Sequence, residues 1–176
     1  YTAAMEVLLP ITKDDPGNRF VEYAHYYYSL SAFKAGMFTE SKTILLQLNY
    51  RYPNWDKIQE ARYLMANVYF EEGKFRWGMN QLKEVNTMDK DVSLMKGYYF
   101  NKLTLDSMKA IQSAYANDQV LAEVLARKLA LSSPNEKDKM LLEYLVQEYK
   151  LDRTKFIANK NTVFKKNYAV AVLLPF

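Results

Sequence analysis

Met65-Ala-Asn-Val-Tyr-Phe-Glu-Glu-Gly73-Lys-Phe75-Arg-Trp-Gly78 is the stretch that decides the fold, because it repeats the pattern of Tyr28-Ser-Leu-Ser-Ala-Phe-Lys-Ala-Gly36-Met-Phe38-Thr-Glu-Ser41. Leu45 and Leu48 follow the first copy, and Leu82 and Val85 follow the second. In each copy an amphipathic helix runs to a glycine, which can adopt the left-handed conformation that closes a helix. A second helix begins two or three residues later. The pattern is a helical hairpin, and Gly36 and Gly73, 37 residues apart, mark its recurrence.

The residue types at the matched places have physical reasons. Ser29 and Ala66 on the first helices, with Ser41 and Gly78 on the second, are small enough to let two backbones approach. A bulky residue at any of the four would wedge its hairpin apart. Phe38 and Phe75 plug the open end. Pro53 lacks an N–H and stops the second helix of the first hairpin, which leaves Asn54 to cap the next helix.

The positions just quoted resemble the tetratricopeptide repeat, with its Leu-Gly, Tyr, Ala, Phe, Ala and Pro pattern. Within that family, the run LLQLNYRYPNWDKIQEARYLMANVYFEEGKFRWGMNQLKEV (45–85) is most similar to repeats of bacterial envelope proteins such as BamD-like assembly lipoproteins and the Tol-Pal coordinator, where RYP precedes a helix ending in YF and Gly. The resemblance is strongest over Arg19 to Asn86. It departs from the family at Ser41 and Gly78, where alanine is usual, and at Lys90, where proline is expected. It implies an all-α fold, a TPR-like right-handed superhelix of antiparallel helix pairs.

The rest of the chain reads as further helices. Ala3 to Leu9 is expected to be the second helix of an earlier hairpin, ended by Pro10, with Asp14-Asp15-Pro16-Gly17 as a turn. Val92 to Ala116 makes one long or two short helices, with the break at Thr104 or Asp106. Asn117-Asp118 is a turn and cap, and Val120 to Leu131 and Glu136 to Tyr149 form a last pair. The expected organisation is a helical repeat domain over 1–151, a basic polar linker over 152–167 with a helical turn at Thr154 to Ala158, and a strand over 168–176. The strand, Tyr168-Ala-Val-Ala-Val-Leu-Leu-Pro-Phe176, is continuously apolar, as in a strand buried on both faces of a parallel sheet. It resembles the opening strand of the type I periplasmic-binding-protein fold, which implies a following α/β domain.

With 176 residues, 49% apolar and 15% aromatic, the chain has enough material for one continuous core. No apolar run approaches the roughly 20 residues of a membrane-spanning helix. The formal charge of +4 suggests nucleic acid until its distribution is read. Asp152 to Asn167 holds Arg153, Lys155, Lys160, Lys165 and Lys166 against Asp152 alone, which accounts for the whole excess and leaves residues 1–151 balanced. A nucleic-acid binder instead concentrates cations on one face to displace counterions, so no nucleic-acid partner is expected. The chain opens on Tyr1 without a charged segment and apolar stretch of an export signal. The expectation is a processed chain or part of a longer one.

Catalytic equipment is sparse. Cysteine is absent and His25 is the single histidine, beside Tyr26-Tyr27-Tyr28 in a helix, where packing is its commoner role. The five glycines (Gly17, Gly36, Gly73, Gly78, Gly97) form no phosphate-cradling loop. The pairs Asp14-Asp15 and Glu71-Glu72 sit in turn and helix-end settings. No enzyme activity, cofactor or metal is expected. Binding surface remains, and the family resemblance carries its concave groove onto Tyr23, Tyr26, Leu30, Phe33 and Lys34 of the first hairpin and Glu60, Tyr63, Asn67, Phe70 and Glu71 of the second. Aromatic anchors among amide and charged groups suit a protein partner or the chain's own downstream domain. Phe33 and Phe70 are also the residues of this set best suited to plain core.

The combined resemblance implies a protein-interaction module of an extracytoplasmic protein, periplasmic or associated with the outer membrane through an upstream lipid anchor. It is similar to LpoA-like activators of penicillin-binding proteins and to envelope assembly scaffolds. Two other readings stay open: a spacer or dimerisation arm of a periplasmic ligand-binding receptor, and a cytoplasmic repeat scaffold. Ala3, Met5, Val7, Leu8 and Ile11 form an apolar set on residues 1–11. They are expected to be covered by upstream residues or by a second copy of the chain, in a homodimer.

Overall fold

The computed structural model describes residues 1–13, 17–132 and 135–155, and among these the chain is helical throughout. It divides into two compact units, Tyr1–Tyr99 and Phe100–Phe176. The first contains α1 (Thr2–Thr12), α2 (Val21–Lys34), α3 (Phe38–Arg51), α4 (Ile58–Glu71) and α5 (Phe75–Leu82), and most of α6 (Asp89–Lys102). The second holds the end of α6 with α7 (Leu105–Gln112), α8 (Gln119–Leu131) and α9 (Glu136–Glu148). Short 3-10 turns lie at Ser113–Tyr115 and Arg153–Lys155.

In unit 1, α2 packs on α3 and α4 on α5, two hairpins closed in the same way. Gly36 has φ +77° and Gly73 φ +72°, the left-handed region that favours a residue without Cβ. Around each, one N–H reaches back five residues: Met37 N donates to the Ala32 carbonyl and Lys74 N to the Tyr69 carbonyl, both at 2.8 Å. The glycine N–H groups donate to Phe33 and Phe70, both at 3.0 Å. This double closure satisfies carbonyls that a helix end otherwise leaves unpaired. The aromatic plugs match too, since Phe33 meets Phe38 at 5.7 Å and Phe70 meets Phe75 at 5.2 Å.

The four small positions, Ser29, Ala66, Ser41 and Gly78, are all buried. Ser41 adds a polar tie at this contact: its hydroxyl donates to the Ser29 carbonyl at 2.8 Å, bonding α3 to α2 where they touch. Beneath these contacts Leu45, Leu48, Ile58, Ala61, Leu64, Met65 and Val68 form the core that joins the hairpins through α3 and α4. Burying each large member stabilises by roughly 1.5–3 kcal/mol.

Two local expectations are corrected. The first helix runs through Pro10 to Thr12 instead of stopping. A proline in the last turn removes one donor, and the hydroxyl of buried Thr12 ties that turn together by donating to the Leu9 carbonyl at 2.7 Å. Asn54 does not cap α4, which begins after Lys57 with no side-chain cap. The connection takes further turns, Trp55 N to the Tyr52 carbonyl at 3.1 Å and Ile58 N to the Trp55 carbonyl at 3.0 Å, because the indole of Trp55 is drawn into the core. The apolar set of residues 1–11 is also divided. Met5 is buried and Leu8 packs beside it against Tyr28, Ala32 and Ile44, so α2 and α3 cover it within the chain, while Ala3 and Val7 stay exposed.

In unit 2 the helix starts are set by side chains of the expected kind. Thr104 Oγ1 accepts from Ser107 N at 3.2 Å, Asp118 Oδ1 from Leu121 N at 3.0 Å, and Asn135 Oδ1 from Asp138 N at 2.9 Å. Thr104 is thus the break expected within 92–116. Lys128 caps the other end of a helix, donating to the carbonyls of Asn101 (2.9 Å) and Leu103 (2.7 Å). Phe100, Met108, Leu121, Leu125, Leu129 and Leu145 are fully buried, and Lys109 pairs with Asp138 at 2.5 Å. The 3-10 turn after α9 begins at Arg153, where Asp152 Oδ1 accepts from Thr154 N at 2.9 Å. The expected turn beyond Lys155, the linker's remainder, the 168–176 strand and the Asp14-Asp15-Pro16 turn lie outside the described residues.

Candidate functional site

The residues assigned to a groove fall on α2 and α4, the first helices of the two hairpins. On α2, Tyr23 and Tyr26 are half-buried and both lean on Trp55, at 5.4 Å edge-on and 5.8 Å tilted. Lys57 places its ammonium 5.5 Å from the Tyr23 ring centre. Leu30 and Phe33 are half-buried against the α3–α4 core, and Lys34 is exposed with its ammonium 5.9 Å from the Phe33 ring. Tyr27, outside the assigned set, is exposed and meets Tyr26 edge-on at 5.3 Å.

On α4 the strip is more polar and faces α6. The Tyr63 hydroxyl donates to the Asp91 carbonyl at 3.3 Å. Asn67 Nδ2 donates to the Tyr63 carbonyl at 3.3 Å, while its Oδ1 accepts from the Tyr99 hydroxyl at 3.3 Å. That one hydroxyl proton is shared with Glu71 Oε1, the nearer acceptor at 2.8 Å, and the Tyr99 ring stacks on Phe70 at 4.4 Å and 25°. Phe70 is core; Glu60, Tyr63 and Asn67 are half-buried, and Glu71 is exposed.

Three phenols here, those of Tyr26, Tyr63 and the neighbouring Tyr99, are held protonated, and Tyr63 and Tyr99 donate hydrogen bonds. Burial, with the carboxylate of Glu60 and the neighbouring Tyr27, raises Tyr26 above its ordinary 10.0. Burial and Asp91 raise Tyr63, and burial with the Glu71 hydrogen bond raises Tyr99 further. A raised phenol pKa keeps the proton in place at neutral pH. The strip therefore offers aromatic surface, an amide and protonated hydroxyls beside the charged ends of Lys34, Glu60 and Glu71. Among the described residues there is no group of three His, Cys, Asp or Glu side chains able to hold a metal ion. No described helix is long and apolar enough to cross a membrane.

The structure brings Tyr23 and Tyr26 together around Trp55, and Tyr63, Asn67, Phe70 and Glu71 together around α6. Trp55, Asp91 and Tyr99 were not foreseen. Trp55 sits in a connection, outside any helical period, and Tyr99 belongs to a helix that lacks the closing glycine marking the other two. No family model matches the chain, and neither the curated proteins nor the solved structures yield a match.

Proposed function

We propose that the chain is a tetratricopeptide-type protein-interaction module of a bacterial envelope protein. The strip on α2 and α4 takes another protein or the protein's own following domain, and the chain performs no catalytic step. The observation that carries this reading is the matched pair of hairpins, closed identically at Gly36 and Gly73, which brings side chains of α2 and α4 to equivalent positions. Those positions hold aromatics with polar tips, the residue types that dominate binding free energy at interfaces. An envelope setting rests on the likeness of residues 45–85 to envelope repeats. Service in peptidoglycan synthesis or envelope assembly rests on the same likeness.

A photo-crosslinker placed at Tyr27, exposed beside Tyr26, tests the reading in the whole chain. The expected result is one reproducible adduct from cell-envelope extract, lost when Tyr26→Ala and Tyr63→Ala are combined. An adduct pattern the same as that from a crosslinker at exposed Lys83, or one untouched by the double substitution, overturns it.

A further inference from the structure

We propose that α5, with the turn leading into it, is a second docking surface, separate from the α2/α4 strip, and that its occupant is an acidic protein segment carrying one aromatic or aliphatic anchor. Trp77 is 63% exposed, while Trp55 is buried. A cleft of about 310 Å³ opens beside Trp77 and is lined by Arg76, Trp77 and Asn80. Tryptophan and arginine are the types most often responsible for interface affinity. Here they sit side by side on a helix whose other face, Gly78, Met79 and Leu82, is buried.

The charges select the occupant. α5 carries Arg76 and no acidic residue. Among the described residues Arg76 makes no ion pair. The ring of Tyr69 lies 6.1 Å from that of Trp77, and the ammonium of Lys42 lies 5.9 Å from the Tyr69 ring. Lys42 and Lys74 share one carboxylate, Glu72, at 2.5 and 2.9 Å. Two lysines near Tyr69 thus share one carboxylate while Arg76 stands beside Trp77, and Glu71 accepts from Tyr99 on the α6 side. A guanidinium fork takes a carboxylate in two parallel hydrogen bonds. The Asn80 amide can meet main-chain groups, and the indole supplies the apolar contact for an anchor. A single guanidinium and two half-neutralised lysines are too few to recruit a nucleic-acid backbone, whose binding scales with the number of phosphates contacted.

The test titrates the whole chain with a short Asp/Glu-rich peptide containing one Phe, followed by Trp77 emission and by calorimetry. Two control peptides replace the Phe with Ala or the acids with Lys. The expected result is saturable binding of the anchored acidic peptide with a blue shift absent from Trp77→Phe. Affinity should fall about tenfold between low and moderate salt, as for contacts between exposed charges. Arg76→Glu, at an exposed site that leaves the helical circular dichroism intact, weakens it at least tenfold. Tyr63→Ala leaves it unchanged, which separates this surface from the α2/α4 strip whatever the fate of that reading. The proposal is overturned by absence of saturable binding, by equal binding of either control peptide or of a single-stranded oligonucleotide, or by indifference to Arg76→Glu.

Discussion

The ring of Phe70 fills the space that a side chain on Gly78 would need: a Cβ built there lies 2.8 Å from ring atom Cε1. That ring cannot simply move aside, because Phe75 holds it at 5.2 Å and Tyr99 stacks on it at 4.4 Å. This close approach is why the second hairpin carries glycine at position 78. The first hairpin answers the same close approach with Ser41 and a hydrogen bond to the Ser29 carbonyl. One repeat pattern therefore accommodates two different contacts between its helices.

Gly78→Ala should destabilise the chain by about 1–3 kcal/mol, the usual range for overpacking. It should do so although alanine favours a helix interior over glycine by about 1 kcal/mol. Adding Phe70→Leu should recover part of the loss. Urea denaturation of the two single variants and the double variant measures the coupling, and a Gly78→Ala protein as stable as the parent would remove the steric account.

Lys150 closes α9 as Gly36 and Gly73 close their helices, with φ +50° and Leu151 N donating to the Val146 carbonyl at 3.0 Å. A left-handed backbone costs a residue with Cβ roughly 1–2 kcal/mol, part of which glycine's freedom in the unfolded chain cancels. Lys150→Gly should therefore stabilise by about 0.5–1 kcal/mol. A denaturation midpoint that is unchanged or lowered counts against it.

How much of this was legible in the sequence follows from where each feature's cause resides. Gly36 and Gly73 were readable because a left-handed helix end is a local backbone demand that glycine meets most easily. Thr104 and Asp118 were readable because their caps reach only three residues ahead. Pro10 misled because burial of Met5 and Thr12 outweighs one missing donor. Asn54 misled because Trp55, next in sequence, is pulled into a core assembled from α2, α3 and α4. The site divides the same way: Tyr23, Tyr26, Tyr63 and Asn67 stand at helical spacing, but their partners Trp55, Asp91 and Tyr99 come from elements whose contacts exist only after packing.

Glu72 is the hinge of a three-residue ion cluster. Burial alone would raise its pKa, but hydrogen bonds from Lys42 and Lys74 overcome this and hold it below its ordinary 4.5. A carboxylate with a depressed folded pKa contributes stability that is present above the unfolded pKa and lost as pH falls through the folded one. Lys42→Ala should cost about 1–2 kcal/mol at neutral pH, since both partners are mostly buried and the acid loses a charged donor. It should also flatten the loss of stability below pH 4.5. Equal acid limbs for parent and variant in a pH series of urea melts would show that the cluster is not coupled to folding.

His25 supplies the last prediction, because it is the chain's single histidine and is fully buried. Its Nδ1 lies 2.8 Å from the Val21 carbonyl oxygen, which can only accept, so Nδ1 carries the proton of the neutral ring. Nε2 is buried with no hydrogen-bond partner among the described residues, and the ring packs edge-on to Tyr52 at 5.9 Å. Burial lowers the pKa below 6.5; the Val21 carbonyl opposes the shift, Arg51 adds to it, and Glu22 opposes it. The folded chain therefore takes up this proton at lower pH than the unfolded chain does, so unfolding is favoured as pH drops below 6.5. Stability should be full above that value and fall as pH drops below it, in a window above carboxylate titration. His25→Leu should show no such slope between pH 7.5 and 5.5. Proton NMR of the single imidazole reads the same shift directly: a titration midpoint at or above 6.5 would show that the ring is solvated and that its packing against Tyr52 does not set its charge.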